Sequence, residues 1–375
     1  MSSVKEHIVK EYIDTDFRIA LDQILEKEQI RSVLLFTGRT SYDRLPARMY
    51  FDALAARITV TRYSGFGTNP SYDELVAAID RLQGAKADMV IAIGGGSVID
   101  FAKLMAIYLD NRDALENGFP DMTGLSVTAP IVAIPTTSGS GSEATHFAVM
   151  YRGGSKYSLV SPQMQPAWVI IDPELVSTMP PDQTAASGID ALCQAMESLW
   201  ARNATDESRE LARHAITLIL PHIEQACRQP GHRSRRAMAL GAFYAGKAIN
   251  ISKTTGLHAM SYYLTDHKGI PHGEAVAMNM EIFIELNLPA IPEVIRQDYF
   301  SLFNVQDIQE LTRSISDLKK NLGLRMDILE AGITSREELE AYLASVNEER
   351  MANNPKKISN KELLDVYWSR IQNTR

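Results

Sequence analysis

Two oxygen donors and two nitrogen donors in the C-terminal half have the types and spacing to do chemistry. Asp190 and Gln194 sit four apart in "GIDALCQAMESLW" (188–200), where Ile189, Leu192, Cys193 and Met196 predict a helix with an apolar stripe. Residues at that spacing share a helix face, so the pair projects together: into solvent, onto each other, or as two arms of a metal site. Farther on, "GLHAMSYYLTDHKGIPHGEAVAM" carries His258 and His272, each at the edge of a helical pattern. A single histidine in such a setting most often caps or packs. Taken together, one carboxylate, one amide oxygen and two imidazoles form a mixed O/N set able to hold Fe2+ or Zn2+, with positions left for a substrate oxygen.

The N-terminal half offers a different chemistry. "ADMVIAIGGGSVIDFAKLMAIYL" reads as a buried strand, three glycines and a helix, with Ser97 and Asp100 spaced as an N-terminal cap. Gly94, Gly95 and Gly96 would let backbone N–H groups approach a diphosphate at the positive end of that helix. Ile99 stands where the last small residue of a full G-x-G-x-x-G belongs, so a tight turn that uses glycine only for its dihedrals remains an alternative. A second loop, "PTTSGSGSEAT" (135–145), brings Thr136, Thr137, Ser138 and Ser140 after another apolar run, either completing the cradle or forming a capped turn. Two such loops after strands of one sheet favour a ligand at the strands' carboxyl ends.

The elements that must position these groups fall into two halves. "SVLLFTG" (32–38), "RITVTRYSGF" (57–66), "ADMVIAIGGGS" (87–97), "PIVAIPTTSGSGS" (130–142) and "AWVIIDPEL" (167–175) predict strands, several near-continuously apolar. Helical stretches such as "YDRLPARMYFDALAAR" and "SYDELVAAIDRLQGAKA" alternate with them, which argues for a largely parallel α/β sheet. After "STMPPDQTAASG" (177–188) only helical periodicity remains, broken at "RQPGHRS", "GIPHGE", "NLPAIPE" and "NPKKIS". The proline-rich step therefore divides an α/β dinucleotide-binding domain, 1–180, from an all-helical domain, 181–375, that carries the metal and catalytic residues.

Composition narrows the class. The chain has 375 residues and a net charge of -8, which argues against non-specific nucleic-acid binding but not against a small anionic substrate. Its two cysteines, Cys193 and Cys227, lie in helical patterns and do not make a disulfide framework. No signal core or membrane-length apolar run is visible, so a cytoplasmic protein is expected, with a homo-oligomer as its assembled form.

"GGGSVID", "PTTSGSGSEAT", "DPELVSTMPP", "GIDALCQAMES" and "HAMSYYLTDHKGIPHG" resemble, in order, the signatures of the iron-dependent alcohol dehydrogenases. The resemblance runs from about residue 30 to "NPKKISNKELLDVY", and five ordered motifs carry it. It implies the dehydroquinate synthase-like/iron-dependent alcohol dehydrogenase fold, with NAD(P)(H) and a metal in the cleft between an α/β and an all-helical domain. By position it assigns the metal to Asp190, Gln194, His258 and His272. Gln194 departs from the family, which usually has histidine there, and so leaves metal identity open between Fe2+ and Zn2+. Tyr262 is a second departure, standing where another histidine is common; it would pass a proton through its hydroxyl or form an aromatic wall.

Gln194 together with "WARNATDESRE" and "GKAINISKTTGLHAM" resembles the branch that reduces sulfoacetaldehyde or phosphonoacetaldehyde. Within that branch Lys253 is either a partner for the anionic tail or a surface lysine. The resemblance further gives Gly94, Gly95, Gly96 and Ser97 to the diphosphate with Thr136 and Thr137 beside them, and Lys156 and Leu175 to ribose and adenine. Gly38, followed by Arg39, occupies the corner where the family's acid often binds the ribose 2′-hydroxyl. The site should therefore tolerate NADP(H), although the branch favours NAD(H). The expected function is metal-dependent reduction of a short anionic aldehyde, such as sulfoacetaldehyde to isethionate. Phosphonoacetaldehyde or another short aldehyde is the alternative, and a dehydroquinate synthase-like lyase or a non-catalytic nucleotide-binding protein is the rival class.

Overall fold

A computed structural model describes residues 9–116, 125–153 and 155–374. It divides into two compact units, Met1–Thr178 and Met179–Arg375.

The first unit is built on a six-stranded sheet of β1 (Lys10–Ile13), β2 (Ser32–Thr37), β3 (Thr59–Tyr63), β4 (Met89–Gly94), β5 (Ile131–Pro135) and β8 (Trp168–Ile171), in the order β1-β8-β5-β4-β2-β3. Every pairing is parallel. The apolar runs are near-continuous because both faces are covered. Leu34, Phe36, Val90, Ala92, Ile131 and Ala133 enter one core, while Val33, Leu35, Met89, Ile91, Val132 and Ile134 enter the other. The chain runs outward from β2 to β3 and returns to β4 on the opposite side of β2, so the strand order reverses between β2 and β4. That is where open sheets of this kind bind ligands.

Three features differ from the expectation. The sheet gains β1, whose "KEYI" is too short and too charged to show periodicity and pairs only at the edge with β8. An antiparallel hairpin of β6 (Phe147–Arg152) and β7 (Ser155–Val160) also stands apart from the main sheet. Ser97 is not the helix cap: Gly95 occupies that position, the helix spans Gly96–Tyr108, and no side chain caps it. Asp100 instead accepts from Ser142 Oγ and from Val149 N at 2.9 Å, which fastens the helix to the loop and hairpin. A glycine cap leaves the first N–H groups open to an external acceptor.

The second unit is helical among its described residues. Its long helix begins at Pro181 and runs to Trp200, with every residue from Gly188 to Trp200 buried, so the apolar stripe is in fact a helix enclosed all round. The predicted breaks fall between the Ile223–Arg228 and His232–Ser252 helices, and between Gly256–Lys268 and His272–Ala277. At the latter, Gly269 turns left-handed (φ 66°) and Pro271 leads into His272 as the first helical residue. No helix among the described residues is long and apolar enough to cross a membrane.

Candidate functional site

Asp190, His258 and His272 present ligand atoms that all lie within 4.8 Å of one another. Asp190 Oδ1 is 3.4 Å from His258 Nε2, and the two imidazole rings are 5.6 Å apart at 68°. Gln194 joins them by donating from Nε2 to Asp190 Oδ2 at 3.3 Å, which leaves Oε1 as the atom with which it could ligate. Both helical residues are buried, Asp190 at 5% and Gln194 at 3% exposure, so a solvated surface pair is excluded.

The approach of His272 depends on a residue that carries no donor. A Cβ on Gly273 would come within 1.9 Å of the Ala186 carbonyl oxygen and 2.6 Å of Asp190 Cβ. Only glycine lets the His272–Ala277 helix rest directly on the Pro181–Trp200 helix and bring its first side chain beside Asp190.

His258 is oriented from behind by Glu197, a residue that the sequence reading did not single out. Its signal was present: 190, 194 and 197 share one helix face. Glu197 is fully buried and accepts on Oε1 from Thr255 N at 3.0 Å, Thr255 Oγ1 at 2.7 Å and Leu257 N at 2.9 Å. Its Oε2 pairs with His258 Nδ1. A carboxylate on Nδ1 fixes the tautomer with its lone pair on Nε2, the nitrogen facing Asp190. Burial opposes charge on His258, but Glu197 and Asp190 outweigh it and raise the imidazole to about 9. The pocket thus favours positive charge. Its donor chemistry, borderline nitrogens with hard oxygens, fits Fe2+ or Zn2+.

Tyr262 and Lys253 flank His258. Tyr262 lies one turn beyond it and accepts from Arg350 Nε at 2.7 Å. Lys253 is half-buried at the end of the His232–Ser252 helix, and burial, with Arg350 nearby, lowers its ammonium from the usual range. Arg350 belongs to none of the motifs.

In the first unit, the two loops after β4 and β5 abut. A Cβ on Gly95 would meet Thr137 Oγ1 at 3.3 Å, and one on Gly96 would meet Ser140 Oγ at 2.4 Å. Thr136 N bonds to Gly94 O at 2.9 Å. The space that side chains would fill, at the start of a 13-residue helix, is a fitting seat for a diphosphate. Ser97 is partly exposed there and accepts from Asn69 N at 3.2 Å. Gly38 follows β2 and Leu175 follows β8, so both lie at carboxyl ends of the same sheet. Lys156 lies on the hairpin, where its charge acts on Asp100. At the Gly38 corner the structure adds Arg62, which donates to Thr37 Oγ1 at 2.9 Å and to Gly38 O at 3.3 Å.

A buried network holds this cradle together. Lys103 Nζ donates to Ser142 O at 2.6 Å, Thr145 Oγ1 at 3.0 Å and Phe147 O at 2.9 Å. Burial lowers Lys103 to about 8 against the pull of Asp100 and Glu143. Burial likewise raises Glu143 to about 7, opposed by Lys103.

A parallel open sheet with a glycine cradle near its switch point, followed by a helical unit with a carboxylate–amide–imidazole cluster, suits nucleotide- and metal-assisted chemistry on a small molecule. Family models described as iron-containing alcohol dehydrogenase and as the C-terminal part of the Fe-containing alcohol dehydrogenase family match residues 13–173 and 184–371. The chain belongs to the iron-containing alcohol dehydrogenase family. It is 30% identical to sulfoacetaldehyde reductase of Bilophila wadsworthia over 316 residues, 80% of this chain and 81% of that one. It is 33% identical to phosphonoacetaldehyde reductase of Streptomyces viridochromogenes over 229 residues, 58% of each. The crystal structure of sulfoacetaldehyde reductase from Bifidobacterium kashiwanohense in complex with NAD+ matches at a TM-score of 0.88 and 28% identity, over 96% of both chains.

Proposed function

We propose that the protein reduces a short anionic aldehyde to its alcohol with NAD(P)H and a divalent metal, sulfoacetaldehyde to isethionate being the first choice and phosphonoacetaldehyde the second. The observation that carries this reading is the Asp190–His258–His272 cluster, buried at Asp190 and His258, with Gln194 beside it. Two relatives act on aldehydes with a sulfonate or phosphonate tail, which supports the substrate class.

Asp190, Gln194, His258 and His272 would hold Fe2+ or Zn2+, which when bound supplies Lewis acidity for carbonyl chemistry. Gly94, Gly95, Gly96 and Ser97 would take the diphosphate with Thr136 and Thr137, and Lys156 and Leu175 would meet ribose and adenine; the nicotinamide so held supplies the hydride. Glu197 keeps His258 in the ligating tautomer. Tyr262 accepts from Arg350 and so turns its own O–H elsewhere, suited to deliver a proton to the product oxygen. Lys253 would face the tail. Glycine rather than an acid at position 38, with Arg62 beside it, supports NADPH as well as NADH as reductant.

The test is reduction of sulfoacetaldehyde, phosphonoacetaldehyde, succinic semialdehyde and propanal side by side, with NADH and with NADPH, on protein of measured metal content. Propanal used as well as the anionic aldehydes would refute the substrate class. Turnover unchanged after metal removal would refute the metal assignment.

A further inference from the structure

The corner between the His232–Ser252 and Gly256–Lys268 helices is held in an unfavourable shape. Lys253 has φ 61° and ψ 172°, a region populated almost only by glycine, and backbone of this kind persists only where surroundings over-determine it. Here they do. Asn353 Nδ2 donates to the carbonyls on either side of Lys253, Ser252 at 2.8 Å and Thr254 at 3.1 Å, and Ser252 Oγ donates to the Lys253 carbonyl at 3.0 Å. Thr255, two residues on, is anchored to Glu197, the carboxylate that orients His258. The strained lysine is built on the same frame as the metal-ligand candidate.

Arg350 is brought against this corner by the segment that carries Asn353. Asn347 N bonds to Ala259 O at 3.2 Å, docking the Glu348–Ala352 turn on the helix of His258. Arg350 Nε donates to Tyr262 OH at 2.7 Å and Nη1 donates to Thr254 Oγ1. Thr254 and Tyr262 stand four residues before and four after His258, so the guanidinium bridges the approach to that helix and its second turn. Both groups it meets are neutral hydroxyls, and no carboxylate pairs with it among the described residues. Its remaining fork donors can therefore serve an anion. Burial and the charge of Arg350 both work against the Lys253 ammonium, and the exposed Glu349 offsets them in part. Lys253 and Arg350 thus bring two positive charges to one corner, which suits the approach of a further anion.

We propose that Arg350 and Lys253 together form the seat for the oxyanion tail of the substrate, and that Arg350 sets the preference for charged over neutral aldehydes. This rests on the reading that the protein reduces anionic aldehydes, and it adds a specificity residue to it. A planar fork fixed by Thr254 and by Tyr262, which lies one turn from His258 on the same helix, can present its remaining donors to a sulfonate, phosphonate or carboxylate.

The experiment compares the parent, Arg350→Met and Arg350→Lys as metal-loaded full-length protein. It reads the ratio of kcat/KM for each anionic aldehyde to that for propanal, and the thermal stabilisation given by ethanesulfonate. In Arg350→Met the ratio should fall about ten- to a hundredfold, the size of a lost charged hydrogen bond, with partial recovery in Arg350→Lys. Ethanesulfonate should stabilise the parent and not Arg350→Met. The substrate whose ratio falls most names the tail. A ratio that stays constant, whether both activities drop or neither does, overturns the seat while leaving the anionic-aldehyde reading intact. If the parent reduces propanal and none of the anionic aldehydes, that reading falls, and the seat stands or falls on ethanesulfonate alone.

Discussion

Glu197→Gln changes one atom in a fully buried position, and the structure dictates where that atom must go. Oε1 accepts from Thr255 N, Thr255 Oγ1 and Leu257 N, all within 3.0 Å, and the two backbone N–H groups among them can only donate. The glutamine oxygen must therefore take the Oε1 position, and its NH2 must face His258 Nδ1. Two N–H groups cannot point at each other, so the imidazole proton moves to Nε2, the nitrogen 3.4 Å from Asp190 Oδ1 and facing the other candidate ligands. To ligate, His258 must then restore the original tautomer against the amide, leaving a buried donor unsatisfied at a cost of about 1–3 kcal/mol. That corresponds to a loss of roughly ten- to a hundredfold in metal affinity.

The measurement is a chelator-competition titration with Zn2+ on the parent and Glu197→Gln, with nitrogen NMR of the metal-free imidazole above pH 9, where it is neutral, to report the tautomer. Retention of the Oε1 contacts should keep the variant folded, as judged by its melting transition. An affinity within about twofold of the parent would refute the tautomer argument. A tautomer unchanged from the parent would refute it independently.

Gly273→Ala forces the His272–Ala277 helix away from the Ala186 carbonyl, since the new Cβ would lie 1.9 Å from that oxygen. Metal affinity should fall at least about tenfold and stability by about 1–3 kcal/mol; parental metal content and melting would contradict the close approach. Gly38→Asp places a carboxylate at the corner where Arg62 meets the backbone, and should lower NADPH use relative to NADH by about tenfold or more. Equal effects on both cofactors would show that residue 38 does not face the ribose. Glu143 has its folded value raised from 4.5 to about 7 by burial, so the folded state holds the extra proton between those values and the associated stability is lost as pH rises through 7. Glu143→Gln should therefore gain stability relative to the parent across that window, by up to about 3 kcal/mol in urea midpoints, and a difference that does not change with pH would contradict it.

The parallel sheet was legible because burial on both faces writes itself as uninterrupted apolar strands, as in "MVIAI", and the helical half because its breaks carry glycine and proline. Edge strand β1 was not, since an edge strand need not be apolar, and its partner β8 lies more than a hundred residues away. The candidate ligands have donor types that draw notice in any sequence. The residues that make them work do not: Gly273 acts by lacking a side chain, and Glu197 looks like an ordinary helical carboxylate until its burial is known. Arg350 illustrates the deeper limit. Its neighbours Thr254 and Tyr262 are 96 and 88 positions away, and only the docking of Asn347 and Asn353 brings it to them. Motif spacing reports chemistry supplied from one stretch of chain, whereas the proposed tail seat depends on a cation delivered by tertiary packing. A protein of the same family could keep every motif and lose that cation through one exposed-looking substitution in "NEERMANNP". With the tail seat as proposed, its substrate preference would then change with no trace in the signatures.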